Sequence, residues 1–117
     1  MGRAQQKKGR DAEKELSRIL NTFGIPARPG AALNFGTEPD LIGIDHIHPE
    51  VKRIERLNVS MAMRQAIKDS EKFGGLPVLF HRKNREEWFC TMRLIDWIEL
   101  YQNALKGTND NRRTEKL

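Results

Sequence analysis

Three charged residues define the chemistry this chain could perform. Asp40 follows Pro39, and Glu50 and Lys52 lie ten and twelve positions further on. In an extended strand residues i and i+2 project to one face, so Glu50 and Lys52 point together while Val51 turns toward the core. Asp40 opens the apolar stretch before them. A hairpin turning at Asp45-His46 would bring its carboxylate beside that of Glu50. Two carboxylates at close range repel each other unless a cation lies between them. Hard oxygen donors suit Mg²⁺, which commonly takes one or two carboxylates, several waters and substrate phosphate; Mn²⁺ accepts the same donors. A neighbouring lysine orients a water or stabilises a pentavalent phosphate. The set therefore describes metal-assisted hydrolysis of a phosphodiester. The plainer readings are a turn-forming Asp after Pro and a solvated strand face carrying a Glu50–Lys52 charge pair.

These side chains need elements to position them. Residues 1–8 carry three basic side chains and no acid, and are expected to form a flexible basic arm. From Gly9, the residues Ala12, Leu16, Ile19, Leu20 and Phe23 fall on one helical face, with Glu13 beside it and Gly24 as C-cap. Short strands are expected at Ile25–Arg28, Asp40–Ile44 and Ile47–Ile54, with a loop over Pro29–Glu38. Pro49 counts against the third strand, because a proline has no N–H to give to a ladder and belongs at an edge or a strand start. Asn58 or Ser60 caps a helix running to Phe73, and Gly74-Gly75 ends it. Strands at Leu76–His81 and Trp88–Met92 flank a charged turn. Leu94, Trp97, Ile98, Tyr101 and Leu105 then recur at helical spacing. Residues 106–117 are polar and expected to be disordered. The order αβββαββα describes one α/β domain over residues 9–105, a small sheet with helices packed on it.

Composition narrows the partners. The 117 residues hold 21 Lys plus Arg against 16 Asp plus Glu, a net charge of +5, with 38% apolar residues. That allows a modest core, excludes a large cofactor cavity and favours a polyanion, nucleic acid before an anionic membrane. Cys90 is the only cysteine, so neither an internal disulfide nor a cysteine-based zinc site can form. This suits a reducing cytoplasm, and Cys90 is expected as an inert core residue. No apolar run approaches the ~18 residues of a spanning helix, and the basic N-terminus does not read as a secretory leader. Trp88, Phe89 and Trp97 are expected in the core rather than at an interface. His46, His48 and His81 are expected to take no part in metal binding, because an all-oxygen set is already present.

Pro39-Asp40…Glu50-x-Lys52 matches the motif of the PD-(D/E)xK nuclease superfamily. Together with Lys8-Gly9-Arg10-Asp11-Ala12-Glu13, Ala27-Arg28 and Phe73-Gly74-Gly75-Leu76-Pro77-Val78, it makes the chain resemble the archaeal-type Holliday junction resolvases and their phage-encoded relatives, over roughly residues 7–104. The resemblance implies a restriction-endonuclease-like fold with a small mixed central sheet flanked by helices. It implies Glu13 as a further catalytic carboxylate beside Asp40, Glu50 and Lys52. The metal set becomes Asp40, Glu50, the Val51 carbonyl and Glu13. Lys7, Lys8, Arg10, Arg28, Arg53 and Arg56 become candidate phosphate contacts, and Gln65 a further DNA contact. The expected activity is Mg²⁺-dependent endodeoxyribonuclease action on Holliday junctions or other branched DNA, by a homodimer in the cytoplasm of a bacterium or a phage-infected host. Cleavage of nicked, flapped or linear duplex DNA is the alternative within the same chemistry, and a non-catalytic DNA-binding module the alternative outside it.

Overall fold

The chain runs α1 (Gly2–Thr22), β1 (Arg28–Pro29), β2 (Leu41–Ile42), β3 (Ile47–Arg53), α2 (Val59–Phe73), β4 (Leu76–Arg82), β5 (Phe89–Met92) and α3 (Leu94–Lys116). This computed structural model describes residues 2–30 and 39–116, with side chains over 7–30 and 39–107. The order is the expected αβββαββα. Most of the loop expected over Pro29–Glu38 lies outside the described residues. Both terminal helices run further than expected, α1 through the segment read as an arm and α3 through the segment read as a tail.

Two sheets form. β1 and β2 pair antiparallel, while β3, β4 and β5 form a mixed sheet, parallel between β3 and β4 and antiparallel between β4 and β5. The expected hairpin between β2 and β3 is therefore absent. Asp45-His46 does make a turn, with His46 at φ 67°, but its flanking strands take other partners. β3 lies at the end of its sheet, as Pro49 requires.

The alternation of β3 builds the layers. Val51 faces α1 and joins a core of Ala12, Leu16 and Leu41, with Leu20, Ile44, Phe80 and Trp88 packed around it. His48, Glu50 and Lys52 occupy the opposite face. There the His48 ring stacks on Phe73 of α2, centroids 5.9 Å apart. α2 buries the small residues Ala62, Ala66 and Ser70, which let it lie close to the sheet. Asn58 caps it, its side chain accepting the Met61 N–H at 3.1 Å. Gly75, at φ 91°, lets β4 start against β3; a Cβ there would fall 2.9 Å from the His48 backbone N. Of the α1 face, Ile19 and Phe23 remain exposed, Phe23 because the helix ends at Thr22.

Glu15 ties α1 to the far end of the mixed sheet. Its Oε1 accepts from Arg82 Nε at 2.7 Å and Trp88 Nε1 at 2.9 Å. Its Oε2 accepts from Arg82 Nη2 at 2.9 Å and Arg53 Nη1 at 3.1 Å. The Arg82 pair is bidentate, the geometry that makes such contacts strong.

The aromatic expectations need correction. Trp88 packs against the core, but Phe89 and Trp97 are about half exposed, at 50% and 49%. Cys90 is exposed, not a core residue, because β5 is an edge strand whose outer face no described element covers. α3 likewise leaves Leu94, Ile95, Trp97, Tyr101 and Leu105 exposed.

Replacing Glu15 by Ala removes the acceptor shared by two guanidinium groups and an indole. The expected cost is about 1.5–3 kcal/mol in urea unfolding, the range for hydrogen bonds to charged groups. A change under about 0.5 kcal/mol, ordinary for a surface substitution, would show that the network contributes nothing.

Candidate metal centre

Asp40 reaches β3 without a strand ladder. Its Oδ2 accepts the Val51 N–H at 2.8 Å. Alternate residues of a strand direct their backbone groups to opposite edges. Residues 48, 50 and 52 serve the β4 side, leaving 49 and 51 on the open edge. Pro49 has no N–H to offer there, and Asp40 takes the one from Val51. The Val51 carbonyl lies on that same edge by the same alternation. Asp40 and Glu50 are thus brought together by a side-chain-to-backbone bond, where the sequence reading relied on a hairpin.

Glu50 is buried, at 7% exposure, and Lys52 Nζ lies 3.6 Å from its Oε1. Burial pushes the Glu50 carboxyl up to about 7, with the nearby Asp40 raising it further and Lys52 opposing. Asp40 is also raised, by burial first, against the lowering effect of its bond from Val51 and of Lys52. Glu13, half-buried on α1, rises to about 7 through burial and then the charge of Asp40, with Arg10 opposing. Glu13, Asp40 and Glu50 therefore share one field, and each holds its proton more tightly than an ordinary acid.

The tightest donor group differs from the expected one. Among the described residues, His48, Glu50 and Asp69 bring one ligand atom each to within 4.8 Å of one another, and Glu13 and Asp40 are not in that group. His48, expected to stand apart from the donor set, is a member of this cluster. It sits two residues before Glu50, so the alternation that joins Glu50 to Lys52 also includes His48. Asp69 was missed entirely. It follows Ala62 and Ala66 at helical spacing and precedes Ser70, on the sheet-facing side of α2. Burial lowers the His48 pKa, with Asp69 and Asp40 acting in the opposite sense.

Lys8, Arg53, Arg56 and Gln65 line one open groove of about 590 Å³ with Val51 and Lys52. Four of the expected DNA contacts are therefore neighbours, although Arg53 is also bound by Glu15. Gln65 additionally donates to Asp69 Oδ2 at 2.9 Å. Lys7 and Arg10 are exposed on α1. Arg28 stands apart, in a second groove with Lys14 and Arg18.

The raised carboxyls set the sign of a pH effect. In the unfolded chain Glu13 and Glu50 ionise near 4.5, whereas folded they keep their protons to about 7. Their contribution to stability is present below 4.5 and is lost as pH climbs through about 7. Without divalent ions, the melting temperature is expected to fall between about pH 5 and about pH 8, and Glu50→Gln to flatten that fall. Mn²⁺ should raise the wild-type melting temperature most at the upper end, where ionised carboxylates bind it. A pH-independent response to Mn²⁺ would contradict this electrostatic account.

No protein-family model matches the sequence, and no curated protein matches it significantly. Among solved structures, the chain is similar to Hjc of Archaeoglobus fulgidus, a Holliday junction resolvase from an archaeal hyperthermophile. The TM-score is 0.55 at 23% sequence identity, covering 73% of this chain and 72% of that one. A likeness over most of both chains establishes the architecture: a small restriction-endonuclease-like α/β domain with a mixed sheet and three helices.

Proposed function

We propose that the chain is a divalent-metal-dependent endodeoxyribonuclease that cuts branched DNA, with the Holliday junction as its preferred substrate. The observation that carries this reading is the Asp40 carboxylate held on the Val51 N–H, one residue along β3 from Glu50, with Lys52 Nζ 3.6 Å from Glu50. The fold shared with Hjc, a Holliday junction resolvase, supports the substrate class.

Asp40, Glu50 and the Val51 carbonyl form an all-oxygen donor set that fits Mg²⁺, with Mn²⁺ as substitute, and Glu13 completes the site directly or through a water. The ion would supply positive charge that offsets the carboxylates and polarises the scissile phosphate. Val51 holds Asp40 in place through its N–H. Lys52 orients the attacking water for in-line displacement, leaving a 5′-phosphate and a 3′-hydroxyl. Lys8, Arg53 and Arg56 contact backbone phosphates along the groove and Gln65 lines it. Lys7 and Arg10 extend the basic surface along α1, and Arg28 meets a separate stretch of backbone. Together these contacts make binding fall with salt. Among the described residues no helix is long and apolar enough to cross a membrane. The proposed place of action is the cytoplasm of a bacterium or a phage-infected host.

One chain carries one such site, so paired cuts across a junction need two copies. The exposed Trp97 and Tyr101, stacked at 5.1 Å on α3, offer an apolar surface for a homodimer.

The test is a cleavage panel of four-way junction, flap, nicked and linear duplex DNA of matched sequence, with Mg²⁺. Symmetric paired cuts in the junction are expected. Asp40→Asn and Glu50→Gln should each lower the rate by about 10²–10³-fold, a loss typical of removing a main electrostatic stabiliser, while DNA binding persists. Preference for flap or linear duplex would move the assignment to another nuclease, and no divalent-dependent cutting of any substrate would leave a DNA-binding module. Size-exclusion chromatography with light scattering should give a dimer, and Trp97→Glu a monomer that nicks junctions singly. A monomeric wild type making paired cuts would remove the dimer from the mechanism.

A further inference from the structure

His48 has no task in the hydrolytic site described above, yet it is 1% exposed and, among the described residues, its Nδ1 has no hydrogen-bond partner. Buried polar atoms in native proteins are almost always satisfied, so an orphan nitrogen on a ring that stands beside two carboxylates points to a ligand. We propose that His48, Glu50 and Asp69 form a second cation site, selective for a transition-metal ion of the Mn²⁺, Co²⁺ or Zn²⁺ class and sharing Glu50 with the Asp40 site.

The donors come from two rigid elements, β3 and α2, and their ligand atoms lie within 4.8 Å of one another. Metal–ligand bonds of about 2.0–2.2 Å hold neighbouring donors roughly 3–4 Å apart, so small side-chain rotations close the site. The surroundings hold the donors in place. Phe73 stacks on the imidazole with an interplanar angle of 4°. Gln65 Nε2 donates to Asp69 Oδ2 at 2.9 Å, leaving the other carboxylate oxygen for the ion. Metal-ligating groups are characteristically fixed by such outer partners. The imidazole sets the selectivity: Mg²⁺ prefers oxygen and its own waters, whereas the later first-row ions accept nitrogen. The two carboxylates balance the charge of a divalent ion. Only the catalytic meaning of a shared Glu50 rests on the nuclease reading; the site itself does not.

The test uses the full chain and binding readouts independent of cleavage. Zn²⁺ is titrated while the ring ¹⁵N resonances of the three histidines are followed. Those of His48 should shift saturably, and those of His46 and His81 should not. Co²⁺ is titrated in parallel by visible absorption. His48→Gln and Asp69→Asn should each weaken Co²⁺ binding by about tenfold or more, whereas Asp40→Asn should keep the bands. Circular dichroism checks that each variant folds, and the resonance shifts need no variant. Unmoved His48 resonances overturn the proposal. So does Co²⁺ binding that survives in both His48→Gln and Asp69→Asn but is lost in Asp40→Asn. Failure of the nuclease reading looks different: Co²⁺ and Zn²⁺ bind as expected, while no DNA is cut.

Discussion

The bond from Val51 N–H to Asp40 Oδ2, 2.8 Å long, links two sheets that share no ladder. Pro49 creates the condition for it. With no N–H at 49, a neighbouring strand could not pair continuously along this edge. A full ladder between β2 and β3 would have consumed the backbone groups of Val51 and closed the edge. Instead the edge stays open, one carboxylate occupies the exposed N–H, and the adjoining carbonyl faces the same space. The packing of Leu41 beside Val51 fixes the approach from below, so the bond rests on a small apolar core.

The same helix shows how the fold treats two acids differently. Glu13 and Glu15 stand two residues apart on α1, which points them to different sides. Glu15 is surrounded by Arg82, Arg53 and Trp88, and its hydrogen bonds from Arg82 hold its pKa below the ordinary value. Glu13 is buried toward Asp40 and has only the opposing influence of Arg10, so it rises to about 7. Glu15 is a structural tie with its charge satisfied inside the protein. Glu13, Asp40 and Glu50 form a group whose charges the chain offsets only in part, through Arg10, the Val51 N–H and Lys52. Such a concentration of like charge is costly to the fold and is the expected mark of a site that binds a cation.

The order of the elements was legible because each carries a local signal. Helical spacing of apolar residues marks α1 and α2, Asn58 and Gly74 bracket α2, and alternation marks β3. The shared face of Glu50 and Lys52 was legible for the same reason, since strand period fixes which side chains share a face, whereas the approach of Asp40 was expected from a hairpin that does not form. What failed depends on contacts distant in sequence. The Asp45-His46 turn is real, yet nothing local says that β2 pairs backward with β1 while β3 pairs with β4. Asp69 joins the cluster only because α2 lies across β3 in one particular rotation. Glu15 reads as one charge among many on α1 until Arg82, 67 residues away, is placed against it. Cys90 alternates as a core residue would, but its strand ends the sheet with no described element over it.

α3 poses the opposite problem from the metal centre: apolar surface without cover. Leu94, Ile95, Trp97, Tyr101 and Leu105 are all exposed. Isolated helices of about 12–15 residues are marginal in water, so a helix that leaves the body of a small domain needs a surface to lie on. The +5 net charge works against dense self-association and narrows the useful contact to a patch where charge is sparse. The stacked Trp97–Tyr101 pair is such a patch. Closed pairing about a twofold axis would bury it on both copies at once, because each presents the same surface to the other. On the proposed reading, one second copy would supply both the cover that α3 lacks and the second cut of a four-way junction.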